Sequence, residues 1–194
     1  MNTSLGKFLA VMFCAAVSFL SVATTVSGQQ SQAASPQSIW AGLLERRPYP
    51  YLVPIPEPKA SAIDGTYTKF VISTAERVHC LRCPDYAPEG GGWKLNLDKG
   101  VFRIFHPESG WKSIGTFIVS EDRLLLANDP TCIDGLGLYR WRLENGRLSF
   151  EVIDDPCAIK LRGLNLTQQP WVSCRPPNTE AAVTDHWPKP VGCE

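Results

Sequence analysis

The segment from Leu138 to Ile153 constrains the fold most, because Asn145-Gly146 at its centre is a two-residue turn that fixes the register of the strands flanking it. Counting outward from Glu144 opposite Arg147 puts Leu143 beside Leu148, Trp141 beside Phe150 and Tyr139 beside Val152 on one face. Arg142 with Ser149 and Arg140 with Glu151 fall on the other. A ribbon with one apolar and one polar face predicts a half-buried antiparallel sheet.

The same alternation predicts strands over residues 65–72, 93–98, 101–106, 111–120, 123–128, 138–144 and 147–153, with an eighth near 169–174. A Lys99-Gly100 turn pairs Leu97 with Phe102, Leu95 with Ile104 and Trp93 with His106 on one face, and Asn96 with Arg103 and Lys94 with Phe105 on the other. Around Glu121-Asp122 the pattern is apolar on both faces, with Phe117 opposite Leu126 and Ile118 opposite Leu125. Consecutive strands joined by tight turns predict an all-β fold: a single antiparallel up-and-down β-barrel of about eight strands. Closure removes the exposed edges.

Residues 1–28 read as an export segment, with Lys7, an apolar run from Phe8 to Leu20 and a small-residue site at Val26-Ser27-Gly28. The uncharged stretch from Phe8 to Val26 also has the length of an uncleaved membrane anchor. Residues 29–62 form an arm rich in proline. Within it Ser38 to Arg46 has helical spacing of Trp40, Leu43 and Leu44, and prolines 48, 50, 54, 56 and 58 hold the chain extended, as a spacer or a segment laid over the domain. The barrel domain is expected over 63–175 and a tail over 176–194. With 19 basic and 19 acidic residues, the chain offers no electrostatic case for nucleic acid.

Outside the export segment the cysteines are Cys80, Cys83, Cys132, Cys157, Cys174 and Cys193, an even count that in an exported chain predicts disulfides. Alternating strand direction places the 73–92, 107–110 and 129–137 connections and the segment after Ile153 at one end of the barrel. Four cysteines therefore share that end, and the expected pairing joins Cys80 and Cys83 to Cys132 and Cys157 in one order or the other. Cys174 to Cys193 then ties down the tail. A redox dithiol at Cys80-Leu-Arg-Cys83 is disfavoured by Pro84 and the Gly90-Gly91-Gly92 run, and a zinc site there would need Cys132 and Cys157 at unusual spacing.

Gly65-Thr66-Tyr67 opening the first strand, the meander, and the long loops at one mouth resemble the lipocalin-like, or calycin, β-barrels. The stretch from Gly137 to Trp171, with Gly-Leu-Tyr-Arg-Trp, Leu-Ser-Phe, Asp-Asp-Pro-Cys, Arg162 and Trp171, is similar to exported bacterial members without assigned activity. The resemblance spans roughly residues 63–174. It implies a barrel able to hold a small apolar ligand, with no cofactor and no catalytic residues to transfer.

The register directs His106, Trp93 and Tyr139 inward at the cysteine-bearing end, and the same count brings Asp154 in beside them. These four are the candidate ligand-binding residues, a role that a cavity of about 300 Å³ or more opening between Trp93 and Tyr139 would support. The preferred reading of the same residues is a capping layer in which Trp93 and Tyr139 close the barrel and His106 hydrogen-bonds a loop carbonyl. The acidic turns Asn128-Asp129-Pro130, with Asp134, and Asp154-Asp155-Pro156 could converge on calcium, but they lack a calcium-loop spacing and read better as turn chemistry. His79 and His186 are not poised, and Asn165-Leu166-Thr167 is a glycosylation sequon. The leading expectation is an exported, non-catalytic binding protein for a small, largely apolar ligand. A protease inhibitor or cell-envelope protein docking through its loops and arm is the alternative, and an enzyme using His106 and Asp154 comes third. A membrane contact is expected only if the export segment is retained.

Overall fold

The computed structural model describes residues 34–194 apart from 74–75, 80, 82–84, 86, 88–89, 134, 159 and 185–186. The export segment, Cys80, Cys83, Asp134 and His186 lie outside the described residues.

The chain runs α1 (Pro36–Leu44), β1 (Gly65–Val71), β2 (Gly91–Asp98), β3 (Val101–His106), β4 (Trp111–Ser120), β5 (Arg123–Ala127), β6 (Gly137–Glu144), β7 (Arg147–Asp154), α2 (Leu161–Thr167), β8 (Trp171–Ser173) and α3 (Thr179–Val183). The eight strands form a closed barrel in sequence order, every neighbour antiparallel, with β8 pairing back onto β1. Both hairpins have the expected register: Glu144 faces Arg147 and Trp141 faces Phe150, while Leu97 faces Phe102. Asn145 and Gly146 have φ of 50° and 72°, the left-handed pair that matches the strands' twist, and Lys99 and Gly100 repeat it at 46° and 87°.

Alternation sets the core. Tyr67, Trp93, Leu95, Leu97, Phe102, Ile104, Phe117, Leu124, Leu126, Tyr139, Leu148, Phe150 and Trp171 meet inside. The ambiguous β4–β5 ribbon resolves as Phe117 and Leu126 in, with Ile118 exposed. Tyr139, Phe102 and Trp171 have no exposed area, so the barrel is filled by its own side chains rather than hollow. Gly115 makes that filling possible: a Cβ there would lie 2.5 Å from both the Phe102 ring and the Ala127 carbonyl.

The proline-rich arm is laid over the domain. Ser35 caps α1 by accepting from Ser38 N at 3.2 Å. Trp40 and Leu43 pack on Phe105, which faces outward from β3, and Arg103 Nε and Nη2 donate to the carbonyls of Leu43 and Arg46 at 3.1 and 2.8 Å. Further along, Asn128 Oδ1 accepts from Leu52 N and Val53 N at 2.9 and 3.1 Å, and Asn128 Nδ2 donates to Val53 O at 2.9 Å. One amide side chain thus completes the backbone hydrogen bonds of an extended segment that prolines keep out of a ladder.

Two disulfides are present among the described residues. Cys174–Cys193 ties the tail to the Asn145-Gly146 end, with Cα atoms 5.4 Å apart, as expected. The expected cross-pairing of Cys80 and Cys83 with Cys132 and Cys157 is overturned, because Cys132 bonds Cys157, with Cα atoms 5.3 Å apart. The physical reason is adjacency. The β5–β6 connection and the exit from β7 flank the same strand, β6, whereas the β1–β2 connection leaves from other strands. Disulfides persist in oxidising surroundings, which indicates an extracytoplasmic environment. Among the described residues, no helix is long and apolar enough to cross a membrane.

Candidate functional site

A pocket of about 140 Å³ opens at the end of the barrel that carries Cys132–Cys157. Buried Trp93, His106, Cys157, Arg162 and Asn165 form its floor, and the more exposed Ser109, Trp111, Thr131, Ala158 and Leu161 its rim. β2 and β3 supply Trp93 and His106, the β3–β4 turn supplies Ser109, and α2 supplies Leu161, Arg162 and Asn165.

α2 is anchored from below. Arg162 Nε and Nη2 donate to Asp155 at 2.8 and 2.9 Å, and Nη1 donates to Asp129 at 3.0 Å. Ser113 Oγ also donates to Asp129, and Tyr139 OH to Asp155. Each aspartate additionally closes its own Asp-Pro turn: Asp129 accepts from Thr131 N at 3.0 Å and Asp155 from Cys157 N at 2.9 Å. One guanidinium therefore joins Asp129 of the first acidic turn to Asp155 of the second. Burial acts to lower the Arg162 pKa, but the hydrogen bond and charge of Asp155, with Asp129 behind them, hold it above the ordinary value. Burial and Asp155 push the Tyr139 hydroxyl well up, so it stays a donor. Asp129 also lies near the sulfurs of Cys132 and Cys157, but these are bonded to each other and offer no thiolate.

Lys69 occupies an inward phase of β1, 5 % exposed, with Nζ 4.6 Å from the Trp171 ring centre and 5.6 Å from that of Trp93. It donates to the Asn165 carbonyl and so also holds α2. Burial lowers its pKa to about 7. The sequence phase Tyr67-x-Lys69-x-Val71 already marks it as an inward lysine.

His106 lies flat on Trp93, ring centres 4.4 Å apart. Its Nε2 faces two acceptors, Gly90 O at 2.6 Å and Glu108 Oε2 at 3.2 Å. A carbonyl cannot donate, so in the neutral ring Nε2 carries the proton and Nδ1 accepts from Ser109 Oγ at 2.8 Å. Burial lowers the His106 pKa, against the raising influence of the Gly90 carbonyl and Glu108.

Of the four expected ligand-binding residues, the pocket unites Trp93 and His106. Tyr139 lies wholly buried, outside the pocket lining. Asp154, expected inward, is exposed: a bulge in the β6–β7 pairing at Leu138/Tyr139 shifts the alternation, and Asp155 turns in instead. The pocket is also under half the expected volume and opens beside α2, because the barrel interior is occupied. α2 has no counterpart in the sequence reading, since a seven-residue helix burying Arg162 and Asn165 shows no apolar stripe. Ser109 was legible three residues after His106. Asn165, 8 % exposed, is not presented as a glycan acceptor. Asn165 Oδ1 and Trp93 Nε1, on two floor residues, are buried without a partner among the described residues, a local deficit of the kind functional sites tolerate.

The eight-stranded antiparallel architecture is consistent with a calycin-like barrel, yet no family model, no curated protein and no solved structure matches the chain.

Proposed function

We propose that this protein is an exported binding protein for a small, largely apolar molecule, held in the pocket between the β3–β4 turn and α2. The observation that carries the reading is the pocket's make-up: Trp93, Trp111, Leu161, Ala158 and the Cys157 sulfur offer apolar surface, while His106, Ser109 and Arg162 supply a few fixed polar groups. Its volume of about 140 Å³ is near that of cavities that admit a benzene ring and well below drug-sized sites, so the ligand is about one ring in size. The two disulfides and the apolar segment of residues 1–28 support an exported location.

Phenol is a suitable probe. Trp93 and Trp111 meet edge to face at 5.9 Å, so a ring entering between β4 and α2 perturbs tryptophan fluorescence. At about −0.6 kcal/mol for each of its seven heavy atoms, within the range small ligands reach, phenol binds at about millimolar affinity, which sets the titration range. Saturable quenching that is lost in Leu161→Asp, a rim substitution, is the expected result. A linear, unsaturable response, or one unchanged in Leu161→Asp, would reject the pocket.

A further inference from the structure

The tripeptide Glu108-Ser109-Gly110, preceded by His106-Pro107, occupies the β3–β4 turn at the pocket rim, and the backbone bond that closes the turn uses none of its side chains. Gly110 N donates to His106 O at 2.9 Å, which completes the backbone hydrogen bond. What the side chains add is an ordered chain of polar groups. Glu108 Oε2 and Gly90 O hold His106 Nε2, Trp93 fixes the ring plane, and His106 Nδ1 receives the Ser109 hydroxyl. Glu108 is itself fixed through Oε1, which accepts from Gly92 N at 2.7 Å. Trp111 N donates to Ser109 Oγ at 3.1 Å, a contact that favours negative charge developing on that oxygen. Nucleophile, base and orienting group thus stand in the order that acyl transfer requires, beside a pocket with aromatic walls.

We propose that Ser109 is a nucleophile, with His106 as its general base and Glu108 as a positioning residue, and that the pocket hydrolyses small carboxylic esters of about one ring in size. In the first step Ser109 Oγ attacks the carbonyl carbon while its proton passes to His106 Nδ1. The C–O bond to the alcohol then breaks, and His106 returns the proton to the leaving oxygen, giving an acyl-Ser109 ester and a free alcohol. Water, activated by the same Nδ1, attacks the acyl carbon and releases the carboxylic acid and the original hydroxyl. Burial keeps His106 below the ordinary histidine pKa, so the ring is neutral and able to accept a proton at pH 7.

This inference rests on the pocket admitting a small molecule, and the experiment separates the two. The whole protein, disulfides intact, is mixed with p-nitrophenyl acetate, p-nitrophenolate release is followed, and the quenched protein is digested with trypsin and sequenced by mass spectrometry. The peptide between Arg103 and Lys112 contains Ser109. A release burst with one acetyl group on Ser109, lost in Ser109→Ala, is expected. His106→Gln keeps a donor toward Gly90 O but removes the base, so it should slow acylation by about 100-fold or more. If that variant does not fold, Ser109→Ala and Ser109→Thr decide the matter from the rim of the turn. Phenol binding with Ser109 unmodified, or acetyl groups on lysines alone, would overturn this inference and leave the binding reading standing. Loss of both responses would overturn both.

Discussion

Replacing Arg162 by methionine tests how the capped end of the barrel is held. The substitution keeps an apolar stem but leaves Asp129 and Asp155, both with fully buried side chains, without their shared cation. Asp129 retains Ser113 and Thr131 as donors, and Asp155 retains Tyr139 and Cys157 N, so neither carboxylate is stripped bare. Removing one partner of a buried ion pair costs about 3–5 kcal/mol, and here two carboxylates depend on one guanidinium, which favours the upper part of that range. With an m-value of about 2 kcal/mol per M for urea, the unfolding midpoint should fall by about 2 M. The decisive comparison is the triple variant Asp129→Asn/Asp155→Asn/Arg162→Met, which removes every charge of the cluster. If uncompensated burial is the cause, the triple variant should be more stable than Arg162→Met alone, a strongly non-additive result. Urea unfolding followed by tryptophan fluorescence, with disulfides oxidised, measures both. A loss below about 1 kcal/mol, or a triple variant weaker than the single, would refute the argument.

Other consequences follow from the same contacts. The pKa of Lys69 falls from its ordinary 10.5 to about 7 on folding. The unfolded chain therefore binds a proton that the folded one lacks between those values, and stability should rise by about 2 kcal/mol from pH 7 to pH 9. Urea midpoints across that range should show the slope in the natural protein and lose it in Lys69→Met. Non-reducing peptide mapping should recover Cys132 joined to Cys157 and Cys174 joined to Cys193. Opening the 25-residue Cys132–Cys157 separation with paired serines should cost on the order of 3 kcal/mol. Asn128→Ala should release the arm, read as faster proteolysis within residues 47–60 with little change in the barrel's circular dichroism. Gly115→Ala should cost about 1–3 kcal/mol in thermal unfolding, because the new Cβ would lie 2.5 Å from the Ala127 backbone carbonyl as well as from the Phe102 ring.

The sequence by itself determined the barrel. Period-two alternation around Asn145-Gly146 and Lys99-Gly100 sets register through purely local geometry, and a slip by one residue would turn every apolar side chain outward. Trp93 and His106 fell into place as a pair for that reason, and the turn after His106 carried Glu108 and Ser109 in plain view. Tertiary structure decided what lies between distant segments. Arg162 binds Asp129, 33 residues away, through charge rather than periodicity, and nothing local signals that partner. With Asp155 as its second partner, the same guanidinium ties the two Asp-Pro turns together and holds α2 over the mouth. The bulge at Leu138/Tyr139 is likewise invisible to the alternation: it leaves Asp154 exposed and turns Asp155 in to meet the guanidinium. Whether the inside was hollow also escaped the pattern: alternation says which side chains point inward, and only their packed volumes, with Gly115 yielding to Phe102, show that they fill it.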